Sequence, residues 1–398
     1  MASLPESSRS GRESSHPGLL RALLAERALF AGAITTAILM TFGQPWLADP
    51  AQGLGSALLF AWIFGVMLWC AFGVARHADH LAAGLGEPYG TLILTLAVII
   101  IEVSLISAIM LTGANDPYLA RDTMFAVLMI VLNAMVGVAL LFGGIWHRQQ
   151  HFSVGGANAF LAVIVPLSVF ALVLPDFTAS APGLSRVQQM FFAAVTILLY
   201  VVFLAIQTVR HRRLFVGPDV ELTALEEHAA HWRGDGGERE REKAEREPRG
   251  PLVYHAVLLV LTMLPLVLLS KYLAVFVDYG VFRLGAPAAL GGVIVAILVL
   301  TPEGLGAMHA AAANRVQRSV NICLGSALAT IGLTVPAVLL IGLVTGARVE
   351  LGLDAIDMVL LLLTLLVSTL TFGSGQTNIL QGAVHLVLFL AYVVMIFD

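Results

Sequence analysis

Eleven times along its 398 residues the chain runs for about twenty positions with hardly a charged side chain, roughly over 28–47, 54–76, 88–112, 122–145, 157–175, 187–209, 252–276, 286–310, 319–345, 355–373 and 378–397. A bilayer core about 30 Å thick is crossed by a helix of about 20 apolar residues, and a helix is the one open-chain structure that satisfies its own backbone there. The expected fold is therefore an all-α integral membrane protein of about 11 transmembrane helices. Composition agrees, because 12% charged residues is about half the share of a soluble domain.

Polar segments divide the chain. Residues 1–27 mix both charges, lack the apolar core of a signal peptide, and read as a cytosolic tail. A first helix over 28–53 precedes a five-helix half over 54–209, a charged linker over 210–250 and a second five-helix half over 251–398. The linker carries nine Lys/Arg and ten Asp/Glu without an apolar period, which suits a solvated tether. Lys and Arg gather on one side of the spans, at Arg76, Arg148, Arg315, Arg318 and the linker, against Arg121, Arg186, Arg283 and Arg348 on the other. By the positive-inside rule the N-terminus is cytoplasmic and, after an odd number of spans, the C-terminus lies outside. Cys70 and Cys323 both sit in apolar runs and form no disulfide framework, and a net charge of −4 offers nothing to a nucleic acid. The partners expected are bilayer lipid, inorganic cations and protons.

Two glutamates interrupt the apolar pattern. Glu102 lies in LTLAVIIIEVSLISAIML and Glu303 in LVLTPEGLGAMHAAAANRVQ. Glu102 stands fifteen residues past Glu87 at the helix start, a depth of about 22 Å. An ionised carboxylate at that depth costs at least about 2.5 kcal/mol, so it must be protonated, paired or turned to a polar cavity. The two carboxylates lie five spans apart, and an odd offset makes the two units cross the membrane in opposite senses. That is an inverted repeat, the common construction of secondary transporters. Counted without the outer-loop residues GANDPYLA, Asn133 falls as far from Glu102 as Ser326 does from Glu303. Pro302 beside Glu303 frees a backbone carbonyl, and a helix broken there would offer carbonyl oxygen to a cation. Two carboxylates with hydroxyl and carbonyl oxygens make a hard site that suits calcium, and proton competition for the same carboxylates couples the fluxes.

GEPYGTLILTLAVIIIEVSLISAIMLTG and LTPEGLGAMHAAAANRVQRSVNICLGSALATIGLTVP resemble the two repeat signatures of the bacterial calcium/proton antiporters of the cation/calcium exchanger superfamily, the ChaA-like branch, and FGSGQTNILQGAVHLVLFLAYVVMIF resembles that branch's last helix. The resemblance implies calcium export across a bacterial inner membrane, with sodium and potassium as further cargoes, in exchange for protons. It implies Glu102 and Glu303 as the ion-binding and proton-coupling residues and Ser326 as an oxygen ligand; Asn133, matched to Ser326 by the repeat spacing, is a further candidate ligand. No resident cofactor is implied, since the metal is cargo. Sodium/calcium exchangers of the superfamily carry hydroxyl residues where this chain has Val98, Ile99, Val299 and Leu300, so their sodium sites do not transfer. The vacuolar exchangers' histidine after the second glutamate is Gly304 here.

Other polar residues carry smaller expectations. Glu87 is a candidate gate, against a plain helix-start role. His309, six residues past Glu303, is a candidate relay, against a solvated interfacial histidine. His77 and His80 are spaced i, i+3, but two ligands are too few for a closed metal site. Two other function classes fit the sequence less well. A passive cation channel rarely needs a duplicated midplane carboxylate. An intramembrane hydrolase would rest on Ser374 and His385, placed about 16 Å apart if they share one helix.

Overall fold

A computed structural model describes residues 26–47, 54–85, 89–112, 117–179, 184–215, 252–287, 289–346 and 348–397. Eleven helical rods run through the described residues: α1 (Arg27–Leu47), α2 (Leu54–Leu85), α3 (Tyr89–Thr112), α4 (Leu119–His147), α5 (Val154–Leu172), α6 (Arg186–Arg210), α7 (Leu252–Leu284), α8 (Ala289–Ala312), α9 (Val316–Thr345), α10 (Ala355–Gly373) and α11 (Ile379–Met395). Eight have the length and composition to cross a membrane outright, and shorter apolar stretches of α1, α3 and α11 complete the set. The chain is an integral membrane protein of helices. Glu87 and nearly all of the charged linker lie outside the described residues.

The two halves repeat in helix length. The helices run 32, 24, 29, 19 and 25 residues from α2 to α6, and 33, 24, 30, 19 and 17 from α7 to α11. Their relative sense follows from contacts. The start of α4 meets the start of α8, where a methyl on Gly292 would strike the backbone of Asp122 and Thr123 at 2.7 Å. Their ends also meet, with His147 Nε2 2.8 Å from the carbonyl of Ala312. Hence α4 and α8 run parallel, and α3, which returns into α4, runs antiparallel to α8. The halves are inverted.

α4 and α9 occupy the centre, buried over most of their length, while the other helices turn broad apolar faces outward. Each central helix contains one π-helical stretch near its middle, Ile130–Met135 in α4 and Thr330–Thr334 in α9. Such one-turn bulges recur at functional sites, because they free backbone groups from the regular ladder. α1 packs against α2 and α7, where a methyl on Gly32 would meet Cys70 Sγ at 2.6 Å and Pro265 Cβ at 2.9 Å. A two-residue antiparallel pairing, Gln150–His151 with Gln376–Thr377, ties the α4–α5 turn to the α10–α11 turn.

Candidate ion-binding site

Glu102 stands thirteen residues after the start of α3, and Glu303 fourteen after the start of α8, so antiparallel helices carry them at matching depth. Both are almost fully enclosed, 1% and 5% exposed. Thr330 Oγ1, in the α9 π stretch, donates to Glu102 Oε2 at 3.1 Å. Thr334 faces the same carboxylate one turn further on, and Ser326, one turn before, is within hydrogen-bonding reach of Glu303. α9 therefore presents three hydroxyls, at i, i+4 and i+8, to the two glutamates.

One oxygen of each carboxylate, Glu102 Oε1 and Glu303 Oε2, is buried with no hydrogen-bond partner. The ion pairs among the described residues belong to other carboxylates. A buried carboxylate with an unmatched oxygen is costly unless it holds a proton or a cation. Among the described residues no group of three His, Cys, Asp or Glu is placed to hold a metal ion. The oxygens on hand are two carboxylates, the three hydroxyls, and a carbonyl freed by proline.

That carbonyl is Leu298's, four residues before Pro302, because proline brings no N–H to it. The helix itself does not break. α8 continues from Ala289 to Ala312 through Pro302, so the sequence reading of a broken helix is corrected. The repeat register is corrected as well. Position within the central helices pairs Asn133 with Thr330, each fourteen residues from its helix start, and not with Ser326.

Asn133 is fully buried in the α4 π stretch and engaged away from the glutamates. Its Nδ2 donates to Thr364 Oγ1 at 2.9 Å, and its Oδ1 lies 3.2 Å from His385 Nδ1. His385 Nε2 lies 3.1 Å from Thr371 Oγ1. Ser374 closes the turn after α10, its Oγ on the carbonyls of Thr371 and Gln376, while His385 belongs to α11. The serine thus lies in a turn and the histidine within α11, correcting the single-helix reading, and each has other partners. His309 is exposed in the last turn of α8.

Sequence reasoning missed Thr330 and Thr334. Threonine inside a span can satisfy its hydroxyl on the carbonyl four residues back, so its presence in ATIGLTVP carries no signal. Only the π stretch and the facing glutamate single these two out.

The chain is 41% identical over 343 residues to a putative ionic transporter, y4hA, of Sinorhizobium fredii (strain NBRC 101917 / NGR234), an overlap of 85% of this chain and 89% of the relative. It is 40% identical over 331 residues to the sodium-potassium/proton antiporter ChaA of Escherichia coli (strain K12), covering 83% and 86%. Among solved structures, native YfkE superposes with a TM-score of 0.65 over 91% of this chain and 99% of that one at 18% identity. The H+/Ca2+ exchanger CAX gives 0.57 over 92% and 89% at 13% identity. These two likenesses establish a shared fold. The sequence pattern of the family described as sodium/calcium exchanger protein matches residues 55–209 and 254–397, the stretches that run from α2 to α6 and from α7 to α11. The chain belongs to the sodium/calcium exchanger protein family.

Proposed function

We propose that this protein is a secondary active transporter that exports a cation, calcium foremost and sodium or potassium as further cargoes, in exchange for protons. The observation that carries the reading is the pair of enclosed glutamates on antiparallel helices, each with one carboxylate oxygen unmatched. With the cation present those oxygens are ligands; without it they take protons, so an empty, charged site never has to cross the bilayer interior. A hard cation such as calcium takes about six to eight oxygens. Glu102 and Glu303 supply four, and Ser326, Thr330, Thr334 and the Leu298 carbonyl extend the set. Alternating access follows from the inverted halves, each presenting its glutamate from the opposite side. The proposal puts the side where α1 begins in the cytoplasm. ChaA of Escherichia coli, named a sodium-potassium/proton antiporter, supports proton coupling and a cargo range wider than calcium.

The test is proton flux in inverted membrane vesicles holding the full chain, with each cation added in turn to a preformed acid interior. Cation-dependent proton efflux supports antiport. Cation flux that persists with no pH gradient and moves no protons identifies a channel and ends the proposal.

Two smaller effects follow. Thr330→Val removes the hydroxyl donated to Glu102, a charge-assisted hydrogen bond of about 1.5–3 kcal/mol. Apparent cation affinity should fall by about tenfold or more, read as a shift in half-saturating cation, with the expression level held. Replacing residues 221–249 by a neutral flexible segment of equal length should leave the exchange rate within about threefold, because a solvated tether acts only through its reach. Normal insertion with lost exchange would make that segment part of the mechanism.

A further inference from the structure

A second cluster of titratable groups lies far from the glutamate pair, where α1 begins and α2 ends. Glu26, immediately before α1, is 7% exposed and gathers three helices. Arg76 Nη2 of α2 contacts its Oε2. His77 Nε2, also of α2, lies 3.2 Å from the same oxygen. Tyr254 of α7 donates its hydroxyl to Oε1 at 3.4 Å. The other ring nitrogen of His77, Nδ1, lies 3.1 Å from Nδ1 of His255 on α7. His80, one turn past His77, stacks on the His255 ring with centroids 4.4 Å apart.

Arg76 Nη2 also lies 3.4 Å from His77 Nε2, and the shorter contact with the Glu26 carboxylate favours one arrangement of protons. With His77 Nε2–H donating to the Glu26 carboxylate, His77 Nδ1 is bare and accepts from His255 Nδ1–H. The nitrogen–nitrogen contact survives while one of the two facing nitrogens stays bare. Once both imidazoles are cationic, two N–H groups and two like charges face each other at 3.1 Å, and the contact cannot hold. Histidine is the side chain whose charge ordinarily changes between about pH 5 and pH 8.

We propose that Glu26, His77 and His255 form a second proton-binding site, distinct from the glutamate pair, which clasps α1 to the first helices of both halves when neutral and releases it when both imidazoles are charged. Among the described residues, Glu26 before α1, Arg76 and His80 on α2, and Tyr254 on α7 contact His77 or His255. Asp79 of α2 and Arg318 of α9 form an ion pair at 3.8 Å beyond His80. Glu26 meets His77 and is already shared with Arg76, so its charge is divided before a second imidazolium forms. α1 lies outside the residues that match the family pattern, 55–209 and 254–397. The clasp is thus an addition to the two-half core, placed where it restrains α2 against α7. On the orientation proposed above, it reads cytoplasmic pH.

Two measurements decide this. The first needs no transport: hydrogen exchange of the detergent-solubilised full chain, corrected for intrinsic rates, at pH 8 and pH 5.5. Amides of residues 27–34 and 252–258 should exchange at least fivefold faster at the acid pH in the natural chain. His255→Gln, which cannot be charged, should show less than twofold difference while matching the natural chain at pH 8. Glu26→Gln should expose the same amides at both pH values. Equal protection of the natural chain at the two pH values, or an undiminished acid response in His255→Gln, overturns the site.

The second is maximal exchange rate in proteoliposomes at saturating cation, with pH varied only on the side where α1 begins. The natural chain should differ at least threefold between pH 8 and pH 6, and His77→Gln and His255→Gln less than twofold. Acid release of α1 with no difference between natural and variant rate profiles overturns the regulatory role. An absence of exchange in all chains would refute the transport reading alone and leave the hydrogen-exchange result to judge the clasp.

Discussion

Glu102→Gln and Glu303→Gln should each reduce cation-driven proton flux to below about one hundredth of the natural rate while leaving the inserted protein within twofold of normal. Glutamine keeps the shape of the side chain and its contact with Thr330 or Ser326, but it can neither carry a proton nor offer charge to a cation. Removing one charged partner from a buried ionic arrangement costs about 3–5 kcal/mol, which corresponds to a factor of a few hundred or more in binding. The insertion cost moves the opposite way, since a neutral amide is easier to place in a bilayer than a carboxylate. Lost flux with preserved insertion is therefore the signature of a ligand. Glu102→Asp and Glu303→Asp, which keep the charge but withdraw it by one methylene, should retain measurable exchange at lowered affinity. Flux in either Gln variant above one tenth of normal would remove that glutamate from the site.

Half-saturating cation concentration should rise steeply as pH falls on the side where the cation binds. The cation needs the carboxylates ionised, and protons bind the same oxygens, so proton uptake by the empty site subtracts from cation affinity. Mass action gives about tenfold weakening per pH unit for each proton displaced, hence up to about a hundredfold per unit if both glutamates are protonated in the empty site. The sign is fixed: affinity is highest at alkaline pH and lost toward acid. The slope, measured by isothermal titration or half-saturation over several pH values, counts the protons released per cation. A slope of zero across the range in which the vesicles exchange would show that protons follow another route.

The spans and both glutamates could be read from sequence because each is a local signal: a run of apolar residues about as long as the bilayer is thick, and a charge where charge is expensive. The inversion could be read because an odd number of spans between two like motifs permits nothing else. What stayed hidden depends on pairing across the chain. Asn133 is a candidate ligand by its spacing from Glu102, and only the packing of α10 and α11 shows its contacts with Thr364 and His385. The i, i+3 spacing of His77 and His80 hinted at a site but named the wrong partners, since the nitrogen facing His77 comes from His255, 178 residues later, and the carboxylate from Glu26, 51 residues earlier. Pro302 promised a break that the surrounding helices do not permit, and α8 absorbs it as one missing N–H.

The wide turns in α4 and α9, at Ile130–Met135 and Thr330–Thr334, bear on how this family can tolerate insertions and deletions. A π bulge is an α-helix with one residue too many, accommodated without changing the helix's ends. Excising a single residue from either stretch would restore the regular ladder and leave both ends of the helix where they are, so the membrane helix itself should survive the loss. In α9 the change would fall on the stretch that carries Thr330 and Thr334, which would then sit in an ordinary turn and not in the widened one that sets them towards Glu102. A gap of one residue there would disturb the site while sparing the fold around it.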